Sequence, residues 1–246
     1  MKIWCLFEQS GTFKNEFKKF GFEAYDVDIL NDFKQTDFEV DIFAHIKAES
    51  EILKLNSQSE NTLFSKIHAD DLVFAFFPCT RFQTQTPLLS RGESYSQRGW
   101  DDLKKLDYSL KITSEMLHNY THFVNLFKIA HAKGFKMIVE NPYSKPNFLR
   151  DYFPIKPAVV ILNRADYGDL YRKPTQFFFV NFTPSNNFEL KSEGKSAKLS
   201  INKVRGADGV DRKTRRSMIS AEFANRLIRE FILSADELEN YKKVTK

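Results

Sequence analysis

The stretch Leu72-Val73-Phe74-Ala75-Phe76-Phe77-Pro78-Cys79 decides how the rest of the chain is read. An unbroken apolar run of this length, closed by proline, predicts a buried strand. Proline cannot donate to the ladder and fixes its own φ, so the strand stops there. The next residue is presented at the strand's carboxyl end, where open α/β sheets bind their ligands. That residue is Cys79, and the only other cysteine is Cys5. A thiol presented in this way is a candidate nucleophile; a free cysteine is also a common small apolar filler.

Working outward, strand-like runs alternate with helical patterns from residue 1 to about residue 182, which predicts βα repeats and a parallel sheet. The strands are expected at Ile3–Phe7, Phe22–Val27, Leu72–Phe76, Lys136–Val139, Ala158–Leu162 and Gln176–Asn181. Helices are expected at Thr12–Phe20, Ile42–Lys54, Asn61–Ile67 and, in one long pattern, from about Asp101 to His131, with Gly134 as its stop. The polar stretch Arg81–Arg98 shows no period and is expected to be a long loop beside the cysteine. A final helix is expected from about Ala221 to Ser234. The organisation that follows is a catalytic domain over 1–182, a small basic loop or subdomain over 183–217, and a C-terminal helix within 218–246 that packs back on the domain.

Composition narrows the partners. The 246 residues carry 37 basic and 32 acidic side chains, a net charge of +5, and 25 phenylalanines against 9 glycines. A Phe-rich core and a mild preference for polyanions such as DNA are expected. The segment Lys203–Arg216 is strongly basic, and reads either as a grip on phosphates or as a solvated loop. Two cysteines do not form a disulfide framework. No apolar stretch is long enough to span a bilayer, and the chain opens on a strand-like run with no charged leader. A cytoplasmic protein with no membrane and no metal partner, favoured as a monomer, is expected. His118 and His122 lack the H-E-x-x-H glutamate and read as helix-surface histidines.

Three further places carry chemistry. The first strand runs through Phe7 into Gln9-Ser10-Gly11-Thr12, a turn whose backbone N–H groups at a helix start suit a cofactor, or which is a plain βα turn. The second strand closes on Asp26-Val27-Asp28-Ile29, and an acid there typically holds a ribose hydroxyl pair or caps the next helix. Lys136–Val139 runs into Glu140-Asn141-Pro142, where a carboxyl that carries a proton can donate to a ring nitrogen of a base, or can pair with a nearby lysine. Basic residues also open the strand at Tyr171-Arg172-Lys173-Pro174-Thr175-Gln176, after Asp166-Tyr167-Gly168.

Taken in order, these pieces resemble the cytosine-5 DNA methyltransferases, and more nearly their compact phage-type members with E-N-P and R-K-P-T motifs. The resemblance covers about residues 3–182 and, more weakly, the last helix. It implies a Rossmann-like, S-adenosylmethionine-dependent methyltransferase fold with a central mostly parallel sheet and a reduced target-recognition region. S-adenosylmethionine is the implied cofactor. Phe7, Gly11, Phe77 and Pro78 would line its pocket, Asp28 would hold the ribose, Ile29 would pack on adenine and Asp41 would accept from the adenine amino group. Cys79 would attack carbon 6 of a flipped cytosine, Glu140 would bind the ring nitrogen and exocyclic amine, and Asn141 would hold the catalytic loop. The chain departs from the pattern at Gln9 and Thr12, where the family has glycines, at Cys5, at Thr80, and at Tyr171, Lys173 and Thr175, where it has Q-x-R-x-R. The arginine that reaches the cytosine carbonyl is thus missing from its usual place, and Arg172 or Arg81 is expected to substitute. A non-catalytic nucleic-acid-binding relative and a pyrimidine-modifying enzyme acting on nucleotides are the alternatives.

Overall fold

The computed structural model describes residues 1–57, 61–144, 147–187 and 218–244. The first βα unit sets the pattern. Strand β1 (Lys2–Leu6) is buried along most of its length and leads through the turn at Gly11 into α1 (Thr12–Lys19). Then come β2 (Glu23–Asp28), the two-residue β3 (Phe38–Glu39) and α2 (Ile42–Lys54). Strand β4 (Leu72–Phe76) stops before Pro78, and α3 (Gln85–Ser90) follows. The 32-residue α4 (Asp102–Lys133) ends at Gly134, which takes the left-handed conformation (φ 77°) that closes a helix without a Cβ clash. Strand β5 (Lys136–Pro142), α5 (Phe148–Tyr152), β6 (Val159–Ile161) and β7 (Thr175–Val180) complete the sheet. Two helices close the chain, α6 (Ala221–Leu227) and α7 (Ala235–Val244).

The seven strands form one mixed, mostly parallel sheet in the order β3-β2-β1-β4-β5-β7-β6, compatible with a Rossmann-like fold. The expected mostly parallel sheet has one reversed strand: β7 runs antiparallel to both neighbours, β5 and β6. A parallel return needs a crossover of a dozen or more residues, usually a helix. Between β6 and β7 the chain has only the single 3₁₀ turn Arg164–Tyr167, so it comes back reversed.

Apolar side chains cover both faces of the sheet. One layer gathers Trp4, Leu6, Phe77, Phe82, Phe123 and Phe127 under α2 and α4. The other gathers Phe13, Phe17, Phe74, Phe177, Phe223 and Leu227 under α1 and α6. Phenylalanine fills both, with ring centroids mostly 4.6–6.3 Å apart, many in tilted or edge-on pairs such as Phe13–Phe74 (4.6 Å) and Phe77–Phe123 (5.1 Å). Helix α6 is tied to α1 by the Asn225 amide donating to Glu16 (3.0 Å).

Other elements differ from the sequence reading. Arg81–Arg98 is not a plain loop, because α3 and a 3₁₀ turn (Tyr95–Gln97) lie within it and are too short to show a helical period. Asn61–Ile67 reduces to a 3₁₀ turn at Leu63–Lys66. The expected last helix stops at Leu227, widens into a π turn over Ile228–Ile232, and restarts as α7. The basic segment Lys203–Arg216, and all of 183–217 beyond residue 187, lie outside the described residues. Among the described residues no helix is long and apolar enough to cross a membrane.

Candidate active site

The strand order reverses between β1 and β4, which lie side by side. In a sheet of this kind such a reversal opens a crevice outside the carboxyl ends of the strands. Phe7 follows β1 there, Asp28 ends β2, Phe77-Pro78-Cys79 follow β4, and Glu140-Asn141 lie at the end of β5. In register, Glu140 stands opposite Phe76 on one side and Phe177 on the other.

The thiol is held by what precedes it. Phe77 is buried, with its ring against Phe7 (5.3 Å), Phe123 (5.1 Å) and Phe43 (5.7 Å). Cys79 is half-buried, its carbonyl accepts from Phe82 N–H (2.9 Å), and its sulfur accepts from the Gln83 side-chain amide (3.0 Å). Burial pushes the thiol above its ordinary range and the Glu140 charge adds to the rise, while the Gln83 hydrogen bond and the Lys173 ammonium oppose it. The resting sulfur is therefore a thiol, and it shares an electrostatic neighbourhood with the carboxyl at the end of the adjoining strand.

Glu140 is almost wholly buried and accepts a short hydrogen bond from the Thr175 hydroxyl. The Arg164 guanidinium lies 3.9 Å from the same oxygen, Oε1. Asn141 is fully buried, and its amide donates to the Phe77 carbonyl (3.2 Å), which ties the end of β5 to the residue two places before Cys79. Beyond Cys79 opens a cleft of about 410 Å³ lined by Thr80, Arg81, Ser114, Glu115, His118 and Asn119. In it Arg81 is engaged by Glu115 (Nε–Oε2 2.6 Å).

On the β1 side, Phe7 adopts φ 59°, a left-handed conformation uncommon for a bulky residue and a marker of local strain. Its ring packs on Phe43 (5.4 Å) as well as Phe77. Gly11 has φ 74°, and a Cβ there would come within 2.8 Å of the Gln35 side-chain oxygen. Asp28 is partly buried, its Oδ1 accepts from Leu30 N–H (2.9 Å), and burial raises its carboxyl. Ile29 is 62% exposed. Asp41 caps α2 by accepting from Ala44 N–H (3.1 Å). The fold thus gathers Phe7, Phe77, Pro78, Cys79, Glu140 and Asn141 about the strand ends, whereas Ile29 and Asp41 lie on exposed connections beside it. Arg172 is an exposed residue of the turn before β7. His118 and His122 lie tilted at 4.4 Å with His122 Nδ1 on the His118 carbonyl (2.8 Å), and only His118 is on the helix surface as expected, since His122 is buried against Phe43.

Several polar groups at this edge escaped the sequence reading. Glu8, directly after Phe7, is buried, held by the Ser10 hydroxyl, and raised by desolvation. Asp26 is fully buried, 3.8 Å from Lys14, and pushed up to about 8 by burial and by the Glu8 charge. Arg164 and Thr175 lie against Glu140, Asp169 holds Arg164 there, and neither Arg164 nor Asp169 belongs to a recognisable motif. No family model matches the chain, and no curated protein matches it.

Proposed function

We propose that this protein is a compact S-adenosylmethionine-dependent DNA cytosine-5 methyltransferase with Cys79 as nucleophile. One observation carries the reading: a half-buried thiol and a buried carboxyl stand at the carboxyl ends of the adjacent strands β4 and β5, close enough for Glu140 to raise the thiol. The mostly parallel sheet with a strand-order reversal at β1/β4 supports it.

The residues at the β1 and β2 ends fit the cofactor. The Asp28 carboxylate can accept from ribose hydroxyls, and Phe7 and Phe43 offer an apolar wall. When bound, S-adenosylmethionine supplies an electrophilic methyl group on a sulfonium. The chain's own residues do the rest. A cytosine must leave the stack before its ring face can be attacked. One proton passes from the Cys79 thiol to the Glu140 carboxylate, giving a thiolate beside a neutral acid. The sulfur then bonds to carbon 6, the ring double-bond pair moves to carbon 5, and the Glu140 proton goes to the ring nitrogen. Asn141 keeps the Phe77–Cys79 turn in place throughout.

The test is transfer of a labelled methyl group to mixed-sequence DNA by the parent and by Cys79→Ala. Label in DNA with the parent and none with the variant is expected. Equal labelling by both would reject the nucleophile, and no labelling by the parent would reject the activity. The tight approach of Gln35 to Gly11 favours a second reading, a nucleic-acid-binding relative without cofactor. Micromolar S-adenosylmethionine binding in titration calorimetry would count against that reading.

A further inference from the structure

We propose that Arg164 is the positioning residue of Glu140; this rests on the reading of Glu140 as the base-binding carboxyl. Arg164 is 1% exposed. A guanidinium that deep is tolerated only when it is paired and hydrogen-bonded. Its Nε and Nη2 both grip Asp169, and Nη2 also faces the Met218 carbonyl (3.4 Å). The plane lies over the Phe223 ring, 5.2 Å from its centroid. Asp169 is fixed in turn, accepting from Leu170 N–H (2.7 Å) and Ser220 N–H (3.4 Å). This fork leaves Nη1 directed at Glu140 Oε1, 3.9 Å away.

Thr175 occupies the last position of the eroded Q-x-R-x-R pattern, and its hydroxyl donates to the same Oε1. The carboxyl is thus held by the Thr175 hydroxyl, with the guanidinium charge 3.9 Å from the same oxygen. A lone threonine would orient Glu140 but bring no charge. Arg164 brings the charge from a strand-end turn some distance back in sequence, anchored so that it cannot reach out of the crevice. Arg164 therefore acts on the carboxyl and not on the base, and it neither resembles a motif nor lies on the surface.

The test uses the thiol as a sensor of Glu140. Two groups act on Cys79 by charge, Glu140 from β5 and Lys173 from the turn before β7, while Gln83 acts on it by hydrogen bonding. Iodoacetamide labelling of Cys79, read by peptide mass across pH, gives the midpoint in the parent, in Arg164→Lys and in the Arg164→Gln/Asp169→Asn pair. The pair removes both charges at once, so it avoids leaving an unpaired buried acid if Arg164→Gln alone fails to fold. Without the guanidinium the Glu140 charge acts unopposed, and the midpoint moves up by about half a pH unit. Lysine keeps it near the parent value. In a Glu140→Gln background the same pair gives no further shift. An unchanged midpoint in the pair, or an equal shift without Glu140, would overturn the proposal. In DNA methylation the pair is expected to lower kcat about tenfold with little change in KM, and Arg164→Lys to recover part of it. A parent that labels no DNA would sink the assigned activity while leaving the alkylation result to judge Arg164.

Discussion

The Asn141 side-chain amide donates to the Phe77 carbonyl across 3.2 Å, joining the end of β5 to the turn that carries Cys79. Two neighbouring strands thereby fix the spacing of the thiol and the carboxyl, because Glu140 precedes Asn141 and Cys79 follows Phe77 by two. Replacing Asn141 with leucine leaves a buried carbonyl unpaired, which costs about 1–3 kcal/mol. Urea denaturation should show that loss, and Cys79 should react faster with iodoacetamide as its turn loosens. Unchanged stability and labelling would show that the amide does not hold the turn.

Cys79 should behave as a suppressed thiol. Burial and Glu140 both favour its protonated form, so at pH 7 its alkylation should run slower than that of a free peptide thiol. Glu140→Gln removes a cause of the rise and should move the pH midpoint down. Lys173→Met removes an opposing charge and should move it up. Shifts of the reverse sign in either variant would contradict the electrostatic arrangement.

Asp26 makes stability depend on pH in a direction unusual for a carboxylate. Its folded value near 8 lies above its unfolded value near 3.9, so the folded state holds more protons between those limits. The contribution is full below about pH 4 and is lost as pH rises through the folded value. Asp26→Asn should flatten that slope and raise Tm at pH 8.5 by roughly 3 °C or more. Thermal melts across pH 5–9 decide it, and a parent whose Tm rises steadily over that range would contradict the assignment.

Gly11→Ala places a Cβ on a left-handed backbone and 2.8 Å from the Gln35 side-chain oxygen. The conformational part alone costs roughly 1–2 kcal/mol. Adding Gln35→Ala relieves the clash but not the strained φ, so the double variant should regain part of the stability in urea melts. Full recovery would show that the turn does not require positive φ.

Most of the sheet was legible because its strands are apolar runs bounded by breakers. Leu72–Phe76 needed no correction. The direction of β7 was not legible, since an apolar run does not say which way it points. Strand β3 has two residues and no pattern to show. Helix α7 did announce itself: Ser234-Ala235-Asp236-Glu237 is a capping box, with Ser234 and Glu237 each bonding the other's backbone N–H, and the reading passed over it. At the site, Cys79, Glu140 and Asn141 stood out because each sits at a strand end beside proline or an amide. Arg164 did not, because an arginine in Asn-Arg-Ala-Asp reads as surface. Besides Asp169, its partners are Met218, 54 positions later, and Glu140 on β5.

The bond from Asn225 to Glu16 spans 209 positions. Helix α1 shares its layer with Phe223, Leu227 and Ile228, so Phe13 and Phe17 have an incomplete cover until α6 is in place. During synthesis the first βα unit is made long before the helix that completes its cover. Such distant pairing slows folding and prolongs the exposure of aromatic surface. Truncation before residue 221 would therefore leave Phe13 and Phe17 uncovered and the fragment prone to aggregate.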